Sequence, residues 1–180
     1  ASLNTPIVEL DPNAGECVVK NNNASTTYAT LCLSRKPSST EVLSNGGQGL
    51  EISVVYEDES GKEVSIANLK QGAEIIARIV VKNASGTEDS RLMALTYAWP
   101  SGFEPWNDIA SDNDDCDYVD QRDDKKIWHF VLSKYKVKTF KMKLRAAYCG
   151  DFIVPSTLCE DMYDAEINAH TASSKVKISE

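Results

Sequence analysis

The clearest pattern in this sequence is an alternation of apolar and polar side chains with a period of two residues, which is typical of β-strands. It is strongest over residues 138–148, where threonine, lysine and arginine alternate with apolar residues, namely Phe140, Met142, Leu144, Ala146 and Tyr148. An α-helix would scatter these side chains around its circumference instead of collecting them on one face. The pattern therefore predicts a strand with one buried face and one solvated face.

Shorter runs of the same kind recur along the chain. Residues 51–56, 73–82, 92–99 and 127–132 are rich in β-branched or aromatic side chains, and residues 176–178 alternate in the same way. Clusters of Gly, Pro, Asn, Asp and Ser separate the runs, and such clusters mark turns. Many short strands joined by turns predict an all-β chain folded as an antiparallel β-sandwich.

The composition of residues 36–49 indicates a domain boundary, because Pro, Ser and Gly concentrate there. We predict that residues 48–180 form the sandwich domain. Residues 1–47 are predicted to be an N-terminal β segment, which supplies either the end strands of a preceding domain or edge strands of the same sandwich. Residues 65–72 are expected to hold at most one short helical turn. The chain begins with Ala1 and has no recognisable signal peptide, which we interpret as a fragment or a processed chain.

Charge limits the classes of partner. The chain has 27 acidic and 19 basic residues among 180, with a formal net charge of −8. Nucleic-acid binding needs a basic face, and an acidic lipid surface would repel this chain. No nucleic-acid partner and no membrane contact by this fragment are therefore expected.

Histidine usage argues against catalysis. The only two histidines are His129, within a predicted strand, and His170, in a polar stretch without a neighbouring nucleophile. Nucleophilic triads and dyads need a base placed to accept a proton. We therefore predict a non-enzymatic chain without catalytic residues or a cofactor, and a hydrolase is the least favoured function.

An acidic run lies between Asp108 and Asp124 and contains eight aspartates. Carboxylate oxygens at this density are suited to calcium, and the candidate ligands are Asp112, Asp114, Asp115 and Asp117. The EF-hand pattern fails because no glycine occupies the sixth loop position, and a solvated loop is the other interpretation. The alternative function that follows is an extracytoplasmic adhesion or carbohydrate-binding β-sandwich with a calcium-binding acidic loop.

The five cysteines contain no Cys-x-x-Cys pair, which argues against a zinc site. Cys17 and Cys32 flank one turn-rich stretch, and Cys149 and Cys159 bracket another. Each pair is a candidate disulfide, with buried free thiols as the alternative. At least one thiol must be left over, because the number is odd.

Four elements in the second half of the chain carry a resemblance to a known family. Residues 97–104 (Tyr-Ala-Trp-Pro-Ser-Gly-Phe-Glu) resemble the element D-x-L-P-A-G-F-E of bacterial α2-macroglobulins, and residues 117–125 resemble Y-x-D-x-R-D-D-R. Residues 144–155 resemble L-R-A-x-x-x-G-x-F-x-x-P. Residues 160–171, which begin Glu-Asp-Met-Tyr, resemble E-A-M-Y-x-P followed by A-x-T.

Residues 69–72 (Leu-Lys-Gln-Gly) also fit the family's L-x-Q-G element, so the resemblance covers about residues 48–180. Trp99 in place of leucine, Ala165 in place of proline, and Cys149 are departures that affect local turn geometry. The resemblance implies a macroglobulin-like sandwich, of Ig-like or fibronectin-like architecture, at the C-terminal end of a protease-trapping protein.

This resemblance implies a non-catalytic role in bacterial defence against proteases. Family members carry a bait region that a protease cuts and a separate domain with an internal Cys–Gln thioester, which then acylates the protease. This chain lacks the thioester sequence, so its implied partners are the thioester domain of the same polypeptide and, through the full-length protein, target proteases. The implied location is periplasmic or otherwise extracytoplasmic, and the parent is compatible with a membrane-anchored lipoprotein.

The resemblance also points to specific residues. A tyrosine of this terminal domain is expected to lie against the thioester and to shield it from water, and the matching position is Tyr163, with Met162 as its companion. The competing interpretation is that Tyr163 packs within the sandwich core, as buried tyrosines often do.

Overall fold

The structure is a computed structural model that describes residues 18–22, 24–32, 45–84, 90–106 and 116–180. The chain divides into two units, residues 1–39 and residues 40–180. In the described part of the first unit there is no strand or helix, and the Asn21 side-chain amide donates a hydrogen bond to the Ser25 carbonyl at 2.8 Å. The N-terminal β segment therefore stays a prediction.

The described residues of the second unit form strands and no helix. None of the described residues lies in a helix long and apolar enough to cross a membrane. In chain order the strands are β1 (Gly46–Gln48), β2 (Leu50–Glu57), β3 (Asn68–Lys70), β4 (Glu74–Asn83), β5 (Ser90–Ala98), β6 (Phe103–Pro105), β7 (Tyr118–Gln121), β8 (Lys125–Ser133), β9 (Val137–Ala146), β10 (Gly150–Val154), β11 (Leu158–Asp161), β12 (Asn168–His170) and β13 (Ser174–Ser179).

The strands assemble into three sheets. The largest has the order β1-β12-β11-β5-β8-β7, the second β2-β4-β9-β6, and the smallest β10-β13-β3. All pairings are antiparallel except that of β3 with β13, which is parallel. The predicted all-β sandwich is confirmed, and β1 places residues 46–48 in the largest sheet.

Every strand predicted from the period-two pattern is present, in β2, β4, β5, β8, β9 and β13. Two local predictions are wrong. Residues 65–72 contain β3 instead of a helical turn, because Asn68–Lys70 pairs with the last strand. Strand β9 ends at Ala146, and the side chain of Tyr148 is exposed because the chain turns where Ala147 and Tyr148 donate their N–H groups to the Gly102 carbonyl.

Three aromatic rings join the two larger sheets. Trp128 and Phe130 project inward from β8, and Phe140 projects inward from β9. The ring of Phe140 lies 5.4 Å from that of Trp128 and 4.7 Å from that of Phe130, in tilted arrangements that suit the ring quadrupoles. All three side chains are buried, so this aromatic cluster forms the centre of the core.

Three of the turns with family resemblance meet at one end of the domain. The Gln71 side-chain amide donates a hydrogen bond to the Ala147 carbonyl at 2.7 Å, and a cleft of about 390 Å³ lies between Gln71, Glu104 and Arg145. Phe152 covers Gly102 so closely that a β-carbon on this glycine would lie 2.3 Å from the ring. Glycine at position 102 is therefore required by a close approach.

We predict that Phe140→Ala lowers the free energy of unfolding by about 3–5 kcal/mol, because it removes the ring that contacts both partners of the aromatic cluster and leaves a cavity. Urea denaturation measures this loss. Phe140→Leu should cost clearly less, and the exposed Val137→Ala in the same strand should stay within about 0.5 kcal/mol of wild type. Equal losses for Phe140→Ala and Val137→Ala would contradict the central place of the cluster.

Candidate functional site

A large aromatic side chain projects into solvent from the turn after β11. Tyr163 is 82% exposed, and the preceding Met162 is 49% exposed. The interpretation that Tyr163 packs within the core is therefore wrong. Solvent-exposed aromatic and methionine side chains side by side are typical of a contact surface for another molecule or domain. We call residues 161–164 the Met-Tyr turn.

Hydrogen bonds fix the backbone of this turn. One carboxylate oxygen of Asp161, Oδ1, accepts the N–H of Tyr163 at 2.8 Å and the N–H of Asp164 at 3.2 Å. The N–H of Met162 donates to the Leu92 carbonyl on β5 at 2.9 Å. Asp161 thus performs the local backbone capping for which short acidic side chains are suited.

The other oxygen of the same carboxylate, Oδ2, pairs with a buried arginine. Arg91 Nη1 lies 2.9 Å from Asp161 Oδ2, and the two side chains are only 4% and 7% exposed. The same guanidinium nitrogen is 4.0 Å from Asp164 Oδ2. A buried pair of this kind joins the Met-Tyr turn to β5.

The environment of Asp161 favours its charged form. Burial by itself would raise the pKa of the carboxyl, but the N–H of Tyr163, the Arg91 guanidinium and the N–H of Asp164 outweigh burial. The pKa of Asp161 therefore lies below its ordinary value of 3.8. The carboxylate is therefore ionised at neutral pH, which is the form that accepts these hydrogen bonds.

The sequence reasoning missed Arg91, although a signal was present. Arg91 has the same parity along β5 as the core residues Met93 and Leu95, and Asp161 has the same parity along β11 as the buried Cys159. A period-two pattern puts such positions on the inward face. This parity could be recognised only once both residues were known to lie in strands, because the run predicted over residues 92–99 begins after Arg91 and no strand was predicted around Asp161.

Exposed aliphatic residues adjoin the Met-Tyr turn on the largest sheet. Leu92 is 45% exposed and Val131 is 37% exposed, and the two are register partners across β5 and β8. The N–H of Met162 donates to the Leu92 carbonyl, so these two exposed residues are neighbours in the backbone pairing between the turn and the sheet.

The acidic-loop candidates lie mostly outside the described residues. Asp112, Asp114 and Asp115 are not described, and Asp117 is exposed, with its N–H donating to the His129 carbonyl at 2.9 Å. Among the described ranges, no group of three or more His, Cys, Asp or Glu side chains is arranged to hold a metal ion. The calcium site stays a prediction.

The hypothesised Cys149–Cys159 disulfide is absent, because both residues carry free thiols in different environments. Cys159 is fully buried on the inward face of β11 in the largest sheet, whereas Cys149 is exposed, with its Sγ 3.5 Å from Gln71 Oε1. Cys32 is likewise an exposed free thiol, and its hypothesised partner Cys17 lies outside the described residues.

We predict that an alkylating reagent modifies Cys149 in the native chain but spares Cys159. Burial raises the pKa of Cys159 to about 12, and the thiolate is the reactive form. Iodoacetamide labelling followed by peptide mass mapping measures both sites, and Cys159 should label only after denaturation. Comparable native labelling of the two thiols, or recovery of a cross-linked peptide, would refute the assignment.

A second prediction concerns how the stability of the folded chain depends on pH. Because the pKa of Asp161 is lower in the folded chain, its carboxylate contributes stability that is present above the ordinary value of 3.8 and is lost as the pH falls through the folded-state pKa. Asp161→Asn should lower the free energy of unfolding at pH 7 by about 3–5 kcal/mol, since it leaves Arg91 buried beside a neutral partner.

Urea denaturation across pH measures this difference, which should shrink towards zero as the wild-type carboxyl becomes protonated. The exposed Asp151→Asn on β10 is the matched control and should stay within about 0.5 kcal/mol of wild type at pH 7. A difference at Asp161 that does not change with pH would argue against the role of its charge.

Comparison with known proteins gives a family. The family model for the bacterial α2-macroglobulin MG10 domain matches residues 49–166. The chain is 32% identical over 131 residues to the α2-macroglobulin of Pasteurella multocida, a match that covers 70% of this chain and 7% of that protein. The chain therefore spans only a small part of the length of such relatives.

Solved structures agree on the fold. The crystal structure of Salmonella α2-macroglobulin reacted with methylamine is similar, with a TM-score of 0.69 at 17% identity, over 78% of this chain and 10% of that chain. Native Escherichia coli α2-macroglobulin from domain MG7 to the C-terminus gives a TM-score of 0.67 at 18% identity, over 76% of this chain and 24% of that chain. By the match to the MG10 model over residues 49–166, this chain belongs to the bacterial α2-macroglobulin family.

Proposed function

We propose that this chain is a non-enzymatic domain of a protease-trapping protein, and that its Met-Tyr turn packs against the thioester domain of the same polypeptide. The observation that carries the proposal is the exposure of Tyr163, at 82%, on a backbone that is held by hydrogen bonds. Because hydrogen bonds already fix the backbone of this turn, contact would cost less backbone conformational freedom here than on an unconstrained loop.

Shielding follows from the chemistry of a thioester. Water and amines attack this acyl group, so an apolar cover that excludes them prolongs its life until it is needed. An aromatic ring of this kind covers roughly 150–250 Å² when it is buried. Met162 and Leu92 extend the apolar surface beside it, and both are about half exposed in the chain alone.

Release of the cover belongs to the same proposal. The contact offered by one turn is small compared with a stable protein interface, so a rearrangement after bait cleavage would be able to separate it. The similar Escherichia coli protein is described as activated by trypsin and by porcine elastase, which supports proteases as partners of the full-length protein. Such a role places the protein outside the cytoplasm.

We predict that Tyr163→Ala, made in the full-length protein, accelerates inactivation by methylamine. A rate increase of roughly tenfold corresponds to a loss of about 1.4 kcal/mol from the barrier to attack. Release of the thioester thiol over time measures the rate, and the similar Salmonella protein is known to react with methylamine.

Two control variants sharpen this test. Tyr163→Phe should keep the slow rate, because the ring and not its hydroxyl excludes the amine. Tyr135→Ala removes another exposed tyrosine, 62% accessible, from a different turn and should have no effect. An unchanged rate in Tyr163→Ala, or a full-length protein without a thioester, would end the proposal.

A further inference from the structure

The direction of Tyr163 cannot come from packing of its own ring, because that ring is 82% exposed. The direction of the side chain must therefore be set by the backbone conformation at Tyr163. Both N–H groups that define this backbone, those of Tyr163 and Asp164, donate to the same oxygen of Asp161. The orientation of one carboxylate therefore determines the orientation of the turn.

We infer that Arg91 is the positioning residue of the Met-Tyr turn, acting through its buried ion pair with Asp161. The two oxygens of the carboxylate have different partners. Oδ2 pairs with Arg91 Nη1 at 2.9 Å, and Oδ1 accepts hydrogen bonds from the N–H groups of Tyr163 and Asp164. Arg91 thus fixes the rotation of the carboxylate, and the carboxylate fixes the backbone of Tyr163. The inference rests on the proposed shielding function and names what holds the shield in place.

Energetics favour positioning over simple stabilisation. Moving two charges out of water costs several kcal/mol per ion, so a buried pair is often no more stable than two apolar side chains of similar size. Here both side chains are at most 7% exposed, so the desolvation is nearly complete. Apolar side chains would fill the space equally well but would give the N–H groups of Tyr163 and Asp164 no acceptor.

Backbone hydrogen bonds and strand pairing join this ion pair to β5 of the largest sheet. Arg91 lies on β5, and the carbonyl of the next residue, Leu92, accepts the N–H of Met162 at 2.9 Å. Strand β11 is paired with β5 up to Asp161, which is the register partner of Met93. The turn therefore begins where the pairing between β11 and β5 ends. The ion pair between Arg91 and Asp161 adds a side-chain link between the two strands at this point.

The test separates positioning from stability by replacing both charges with apolar residues. In the full-length protein, the double variant Arg91→Met with Asp161→Leu should keep a melting temperature close to wild type, because it leaves no unpaired buried charge. The N–H groups of Tyr163 and Asp164 belong to exposed residues, so water can accept their hydrogen bonds once the carboxylate is gone. Hydrogen exchange at the amides of Tyr163 and Asp164, resolved by fragmentation mass spectrometry, should rise at least tenfold. Methylamine inactivation should accelerate to the rate of Tyr163→Ala.

Three further variants complete the design. The single variant Arg91→Lys keeps a positive charge opposite Asp161. It should therefore retain most of the amide protection and the slow rate of methylamine inactivation seen in wild type. Adding Tyr163→Ala to the double variant should give no further acceleration, because both changes remove the same cover. Arg78→Met is the matched control, since it breaks the part-buried pair with Glu57 between β4 and β2 and should leave Tyr163 protected.

The two possible failures are distinguishable. A stable double variant with normal exchange at Tyr163 and Asp164 would overturn the positioning role even if Tyr163→Ala accelerates inactivation. An unchanged methylamine rate in Tyr163→Ala would instead overturn the shielding role, and raised exchange in the double variant would still support Arg91 as the residue that positions the turn.

Discussion

The fold depends on the contact between Phe140 of one large sheet and the rings of Trp128 and Phe130 of the other. This contact sets where β8 lies relative to the second sheet. Strand β8 then fixes β5 through nine register pairs, from Ser90 opposite Ser133 to Ala98 opposite Lys125, and β5 in turn fixes β11. The Met-Tyr turn extends from the end of β11, so its place in space follows from the aromatic core through two steps of strand pairing.

The site combines two departures from the usual distribution of charged and apolar side chains. Arg91 and Asp161 are charged yet buried, and Met162 and Tyr163 are large and largely apolar yet open to solvent. Both departures occur within one turn and the strand that supports it. Natural sequences that otherwise agree with their fold tend to break local rules at functional positions.

The sequence was most informative where a strand is long and has one wet face. Strand β9 spans ten residues, enough for its alternation to be unmistakable, whereas β1, β3, β6 and β12 span three each and carry no measurable period. The parallel pairing of β3 with β13 joins residues more than a hundred positions apart, which no local pattern reveals.

The candidate site was predictable in part. The family resemblance pointed to Tyr163, but a motif does not say whether a side chain faces the core or solvent. Arg91 and Asp161 lie seventy residues apart, so their pairing becomes visible only once β5 and β11 are neighbours. In addition, the resembling element reads alanine where this chain has Asp161, so the motif offered no reason to expect a buried charge there.

The close approach of Phe152 to Gly102 ties together two stretches that are fifty residues apart in the chain. Because glycine has no β-carbon, the Phe152 ring can lie directly against it. Position 102 can hold a larger residue only if this ring shifts or is replaced by a smaller side chain. As related sequences diverge, a larger residue at 102 is therefore expected only with a change at 152, whereas a smaller residue at 152 needs no change at 102. An aromatic residue at position 152 would therefore be a sign of glycine at position 102.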